Sequence, residues 1–261
     1  MFNILKARFI QGYRTGKFPY QPPVLPERFL GRPVIDAEKC TPEISADAAA
    51  VCPVSAISGT GKELQLDLGK CIFCGKCQEC SKGGICFSRE YAVAAPSREG
   101  LICTPENTAD YTPEDLIGNA VANLCGKSLK IREVSAGGCA ACELDFNVLN
   151  TLAWDMGRFG IQVVASPRHA DCILVTGPVS ENMALALQKS FDAVPAPAFV
   201  IACGACAISG GIYAESPETR SGVCGMFKPD LYIPGCPPHP TMILEGLLRL
   251  MGKRFLRQKK A

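Results

Sequence analysis

Residues 129–145 read "LKIREVSAGGCAACELD", an apolar run that closes on a glycine pair and two cysteines, Cys139 and Cys142. The run reads as a strand and the segment behind it as loop and helix. The same alternation continues downstream. "IQVVAS" (161–166), "DCILVTG" (171–177), "AFVIACG" (198–204) and "LYIPG" (231–235) read as four more strands. "ENMALALQKSFDAV" (181–194) and "PTMILEGLLRLMG" (240–252) read as helices. Strands without internal polar alternation belong to a parallel sheet covered on both faces. The expected fold class is therefore α/β, an open flavodoxin-like parallel sheet with helices on both faces. Ligands of such sheets sit outside the carboxyl ends of the strands. Cysteines fall there: Cys139 and Cys142 after the first strand, Cys206 after the fourth, Cys236 after the fifth. They lie among Gly137, Gly138, Gly204, Gly210, Gly211 and Gly235, and glycine lets backbone approach a bulky group closely. Four loop cysteines converging on one edge make a four-thiolate site. Cys203 competes with Cys206, three residues away. Cys172, inside a strand, and Cys224 read as structural.

Upstream the texture changes. Residues 1–110 are rich in Pro, Gly and Cys, with short apolar runs. Residues 111–128 read as a linker helix: Thr112 as N-cap, Pro113 in the first turn, Glu114 and Asp115 at the positive end, Gly126 as stop. Cys125 on it reads as a small buried apolar residue. Residues 129–261 form the sheet domain.

The first region carries "CIFCGKCQEC" (71–80) and "KCTPEISADAAAVCPVSAI" (39–57). A bacterial two-cluster ferredoxin uses two runs of C-x2-C-x2-C-x3-C-P, and the fourth cysteine of each run ligates the other run's cluster. Cys71, Cys74 and Cys77 are in register; the fourth position is Ser81, and Cys80 stands one residue early. The first run keeps Cys52 with Pro53 behind it, and Cys40, but not the two cysteines between. Swapped ligation makes Cys52, Cys71, Cys74 and Cys77 one complete set. Cys40 and Cys80 are too few for a second. The reading is a small α+β ferredoxin-like iron–sulfur domain that has lost one of two clusters. A zinc site is the alternative, but C-x2-C-x2-C-x2-C is too compact for it, since zinc usually takes two separated pairs. Cys86 and Cys103 match no pattern and read as buried thiols.

Composition narrows the classes. A net charge of +2 gives no basic stripe and no support for nucleic-acid binding. Sixteen cysteines with no unbroken apolar segment at the start, and no run of membrane-spanning length, point to a reducing compartment and to metal rather than disulfides. "MFNILKARFIQGYR" (1–14) mixes apolar and basic residues and reads as a docking helix at a membrane arm or partner, or as a helix packed on its own domain.

The motifs "SAGGCAACELD", "SPRHADCILVTGPV", "GACAISGGIY" and "YIPGCPPHP" resemble the small-subunit family shared by energy-converting nickel–iron hydrogenases and respiratory complex I, over about residues 129–251. The resemblance implies Cys206 rather than Cys203 as the third ligand of a proximal 4Fe-4S cluster, with Cys139, Cys142 and Cys236. The complex I branch carries adjacent cysteines at the first position; the spaced pair here resembles the hydrogenase branch, including formate hydrogenlyase. The N-terminal region resembles the separate ferredoxin subunit of the same complexes, so the chain looks like a fusion of two subunits. What this implies is an electron-transfer subunit with two 4Fe-4S clusters. Its partners are a nickel–iron large subunit that holds the catalytic centre, a further electron-transfer subunit and a membrane arm. Its place is peripheral, on the cytoplasmic side of the inner membrane. The other readings are a subunit of a nickel-free quinone- or ferredoxin-linked complex I-like oxidoreductase, and a stand-alone two-cluster carrier. Glu143 and Asp145 read either as helix N-terminal acids or as carboxylates on a proton path. His169 reads as a group near the cluster or as packing, and His239 likewise, more weakly.

Overall fold

The computed structural model describes residues 2–12, 15–108 and 127–253. The linker helix expected over 111–128, with Cys125, lies outside the described residues except at 127 and 128, which are not helical.

The N-terminal elements are α1 (Phe2–Gln11), β1 (Pro33–Ile35), α2 (Pro42–Val51), β2 (Ile57–Ser58), β3 (Gln65–Asp67), α3 (Lys76–Cys80), β4 (Ile85–Phe87), β5 (Ile102–Cys103) and α4 (Pro105–Thr108). They mix short helices with short strands. β1 pairs with β4, and β2, β3 and β5 form a three-stranded sheet, all antiparallel. α2 starts where its sequence says it should. The Thr41 side chain accepts from the Ile44 N–H, with Pro42 and Glu43 in the first turn. It occupies the stretch between Cys40 and Cys52 and packs against α3, burying Ser45 and Ala48. α1 buries none of its residues.

The C-terminal elements are β6 (Leu129–Ser135), α5 (Ala141–Val148), β7 (Ile161–Val163), β8 (Cys172–Thr176), α6 (Glu181–Asp192), β9 (Phe199–Cys203), α7 (Ala205–Ser209), β10 (Leu231–Ile233) and α8 (Pro240–Leu250). All five strands read from sequence are present, most of them shortened at their ends. The helix after β6 is much shorter than its apolar pattern: it stops at Val148, and residues 149–160 continue as turns and a 3-10 segment, Met156–Phe159. The sheet order is β10-β9-β8-β6-β7, every pair parallel. Renumbered within this sheet the order is 5-4-3-1-2, the flavodoxin-like winding, whose switch point lies between β6 and β8.

Alternate side chains of the buried strands go to opposite faces. Ile131, Cys172, Leu174, Ile201, Cys203 and Ile233 pack with Phe146 of α5 and Ile243, Leu244 and Leu247 of α8. Ile173, Val175, Val200 and Ala202 pack with Ala184 and Leu187 of α6, and in the same cluster with Leu66, Cys71 and Leu101 of the N-terminal unit. One apolar core thus runs from the N-terminal unit into the second face of the sheet.

Three further ties join the two parts. Ala95 pairs with Tyr232 on the outer edge of β10 through two backbone bonds of 3.0 and 2.9 Å. Arg249 donates to the Ala94 carbonyl at 2.7 Å. Phe18 stands edge-on to Tyr91 and Trp154, and Arg158 donates to the Gly16 and Phe18 carbonyls.

Candidate metal centres

Three loops leave the carboxyl edge of the sheet next to one another. The loop after β6 carries Cys139, and the first turn of α5 carries Cys142, with Ala140 left-handed between them. The loop after β9 turns at Gly204 into α7, which carries Cys206. The loop after β10 carries Cys236. The last two loops are stitched together: Gly204 N–H donates to Ile233 C=O and Ala205 N–H to Gly235 C=O, both at 2.8 Å. Gly204 has φ +93°, and a Cβ there would stand 2.6 Å from Cys142 Sγ. A glycine is needed twice over, for its backbone and for the sulfur beside it.

These four thiols act on one another. Burial first, then the charges of Glu143, Cys206, Cys236 and Cys139, push the Cys142 thiol well up. Burial, then Cys236 and Cys139, push Cys206 up to about 11. Burial and then Cys139 raise Cys236. Cys139 and Cys236 are exposed, while Cys206 is buried. Cys203 is fully buried, in one cluster with Ile201, Phe146 of α5 and Ile243 of α8, and after burial Cys142 is the first group that raises it.

The second set forms in the N-terminal unit. Cys52 caps the C-terminus of α2, Cys71 follows the turn after β3, Cys74 lies in the loop, and Cys77 is on α3. All four line one pocket with Val54, Ile57, Leu66 and Phe87. Burial comes first, and neighbouring thiols after it, in raising Cys71 and in pushing Cys77 up to about 12. Two of the sulfurs accept backbone N–H groups: Ala56 donates to Cys52 and Phe73 to Cys71, each at 3.3 Å.

The remaining cysteines fall outside both sets. Cys80 donates to the Cys77 carbonyl at 3.5 Å, along its own helix. Cys40 is buried against Gly84. Ser81 is fully buried, accepting from Ile85 N–H at 3.0 Å and donating to nearby carbonyls. Cys40 and Ser81 are thus buried, and α2 packs against α3 in the same unit. Cys103 is a buried thiol, as expected. Cys86 was expected to be buried and is exposed, because its partner across the two-stranded sheet, Val34, also faces outward.

Glu143 braces the switch point. Its Oε1 accepts from Ser135 Oγ at 2.5 Å and Thr176 Oγ1 at 2.7 Å, tying the ends of β6 and β8 together. Asp145 is raised by burial. His169 is not near the cysteines. It ends the 3-10 turn Pro167–His169 that precedes β8, so it lies at the amino edge of the parallel sheet, in a cleft with Lys130, Arg168 and Asp171. Its position before a strand rather than after one already carried that information. His239 caps α8: its Nδ1 accepts from Thr241 N–H at 3.2 Å, and it stacks edge-on to Phe29 and Trp154. Sequence reasoning missed Glu133 on β6, pushed up to about 7 by burial and then by Glu143, with Oε1 buried and without a hydrogen bond among the described residues. It also missed the contacts that join the two cysteine sets, since those are purely tertiary.

The donor chemistry fits iron–sulfur clusters. Each set offers four thiols, with Glu143 beside Cys142 already engaged by Ser135 and Thr176, and buried thiols held protonated by their surroundings ionise on metal binding. Among the described residues no three His, Cys, Asp or Glu side chains close around a single ion; in the N-terminal set the thiols ring a pocket instead.

The family model described as NADH ubiquinone oxidoreductase, 20 Kd subunit, matches residues 139–250. A probable membrane-bound hydrogenase subunit of Pyrococcus furiosus is 38% identical over 136 residues, which are 51% of this chain and 81% of that protein. An NADH-quinone oxidoreductase subunit of Desulfovibrio desulfuricans is 41% identical over 154 residues, 59% of this chain and 80% of that one. Among solved structures, a chain of the membrane-bound sulfane sulfur reductase, an archaeal respiratory membrane complex, aligns with TM-score 0.45 and 31% identity, over 52% of this chain and 75% of that chain. At this identity, and with four fifths of such relatives spanned, the chain belongs to the NADH ubiquinone oxidoreductase 20 Kd subunit family.

Proposed function

We propose that the chain is an electron-transfer subunit of a hydrogenase-type oxidoreductase complex, passing electrons through two 4Fe-4S clusters to the nickel–iron site of a separate large subunit. The observation that carries this is the meeting of Cys139, Cys142, Cys206 and Cys236 from three loops at the carboxyl edge of the sheet. These four would hold the cluster proximal to that site, and Cys52, Cys71, Cys74 and Cys77 the other.

Bound there, a 4Fe-4S cluster supplies one-electron redox chemistry. The chain's own residues do the rest. The thiols bind, and backbone N–H groups on Cys52 and Cys71 sulfur stabilise negative charge and so favour the reduced state. Val54, Ile57, Leu66 and Phe87 give the N-terminal set an apolar lining, while Cys74 stays exposed. Glu143, fixed by two hydroxyls, holds the Cys142 turn in place. Cys139 and Cys236 open to the surface on a molecule that also exposes Leu144 and Ile212 from the neighbouring segments, apolar groups suited to a large subunit. Attachment is read as peripheral, on the cytoplasmic face of the inner membrane, with α1 and its exposed Phe2, Phe9 and Ile10 as docking segment. Among the described residues no helix is long and apolar enough to cross a membrane.

A nickel-free, quinone-linked complex is the second reading, because relatives named as NADH-quinone oxidoreductase subunits are about as similar as the hydrogenase subunit. The spaced Cys139-x2-Cys142 pair favours the first. The test is to purify the complex through this chain, measure nickel, and assay hydrogen evolution with a reduced dye. Nickel with hydrogen evolution is expected; a complex without either overturns the hydrogenase reading in favour of the second.

A further inference from the structure

We infer that the hydroxyl of Ser209 is the contact over which electrons cross between the two cysteine sets inside this chain. The inference rests on the proposal that both sets hold clusters and adds the route between them.

Gly69 lies two residues before Cys71, on the turn that delivers the first thiol of the "CIFCGKCQEC" stretch. Ser209 lies three residues after Cys206, on the short helix that delivers the third thiol of the other set. Ser209 Oγ stands 2.8 Å from the Gly69 carbonyl oxygen and 3.2 Å from that of Ala205, the residue bonded to Cys206. One side-chain oxygen therefore joins the main chain leading to Cys71 to the main chain leading to Cys206. The contact is partly buried, and Gly69, Cys71, Ala205, Cys206 and Ile208 around it are buried.

The surroundings fix this approach. A Cβ on Gly69 would stand 2.7 Å from the Arg98 guanidinium carbon and 2.9 Å from Ile208 Cγ2, so no larger residue fits between the two parts. Arg98 grips Asp67 through both carboxylate oxygens, at 2.7 and 2.5 Å. Asp67 in turn accepts Gly69 N–H on its side chain at 2.8 Å and Cys71 N–H on its carbonyl at 2.9 Å. The ion pair thus shapes the turn that presents both the Gly69 carbonyl and the Cys71 thiol. On the far side, Cys224 donates to the Ile208 carbonyl at 3.5 Å, holding the end of α7. Nothing in the four-cysteine chemistry of either set requires these groups. Their common effect is to press the two ligand-bearing backbones onto one hydroxyl.

The step moves one electron and no net proton. With both sets loaded, the cluster that Cys52, Cys71, Cys74 and Cys77 would hold would give up one electron and the cluster that Cys139, Cys142, Cys206 and Cys236 would hold would accept it. The donor is a low-potential one-electron carrier, and the acceptor beyond is the redox centre of the partner subunit.

The experiment uses the full chain loaded anaerobically with iron and sulfide. Substoichiometric photoreduced deazaflavin supplies electrons, and samples frozen at intervals are read by electron paramagnetic resonance, with iron content and midpoint potentials measured alongside. Wild type should redistribute electrons between the two signals in a fast phase. Ser209→Ala should lose that phase with iron content and potentials unchanged, and Ser209→Thr, which keeps the hydroxyl, should restore it. A fast phase retained in Ser209→Ala overturns the bridge, and so does a loss that Thr fails to restore. Wild type binding only one cluster instead overturns the two-cluster reading beneath it, a failure visible in the iron count before any kinetics.

Discussion

At the scale of single residues, swapped ligation separates Cys52 from Cys80. Cys52 is distant in sequence from "CIFCGKCQEC" yet lines the same pocket as Cys71, Cys74 and Cys77. Cys80 sits inside that stretch and bonds along its own helix. Cys52→Ala should therefore empty the N-terminal set and loosen that unit, because metal binding and folding are coupled. Cys80→Ala should leave the iron count unchanged. Iron analysis with spectra of each reduced variant decides it, and the reverse outcome would make the four cysteines of 71–80 a self-contained site. That these four thiols share one pocket follows from the ferredoxin spacing read in the sequence. Spacing alone does not choose between Cys203, the last residue of β9, and Cys206 on α7, and Cys206 comes from the family resemblance. A second residue-scale outcome concerns Glu245 on α8. Burial, opposed by Arg249, pushes its carboxyl from 4.5 up to about 7, with Glu90 adding to the rise. The folded state then holds this proton more tightly than the unfolded one. The group costs nothing at low pH, and its cost develops as pH rises from about 4.5 to 7. Relative to its own low-pH difference from wild type, Glu245→Gln should gain up to roughly 3 kcal/mol of stability by pH 8. Melting of both proteins across that range checks it, and an equal difference at pH 4 and pH 8 would contradict it.

At the scale of elements, the strands were readable because β8, β9 and β10 are buried along their whole length, so no polar alternation interrupts them. After β6 the apolar pattern runs on past the helix, which ends at Val148. Its apolar residues Leu149 and Met156 are indeed buried, but they reach the core from turns, which sequence periodicity does not distinguish from a helix. The short α7 gives the clearest element-level test. Gly204 starts it at φ +93° with Cys142 Sγ filling the space beyond its Cα. Gly204→Ala places a side chain in a conformation costing roughly 1–3 kcal/mol and collides with that sulfur. The C-terminal set should lose its iron while the N-terminal set keeps its own. The iron count would fall by half, and a full count in this variant would mean the loop can re-form around a methyl group.

At the scale of the whole molecule, two sets of four thiols predict about eight irons per chain, four in each cluster. A count near twelve on the reconstituted protein would mean that the incomplete set of Cys40 and Cys80 holds a third after all. Composition changes near residue 110, but it does not announce how closely the two parts pack, because no local pattern says which face of a sheet a neighbouring unit will cover. That intimacy has a consequence for cutting the chain. Sheet edges with free backbone groups recruit other strands, and the outer edge of β10 is sheltered by Ala95, which belongs to the other half. A fragment of residues 129–253 would bare that edge together with the face lined by Ile173, Val175 and Ala202. It should precipitate or self-associate on sizing columns. Added back as a separate piece, residues 2–108 should return it to solution, and a fragment that stays monomeric by itself would show the shelter to be dispensable. Two units joined this way are no longer free to part: the seam is a chaperone that travels with its client.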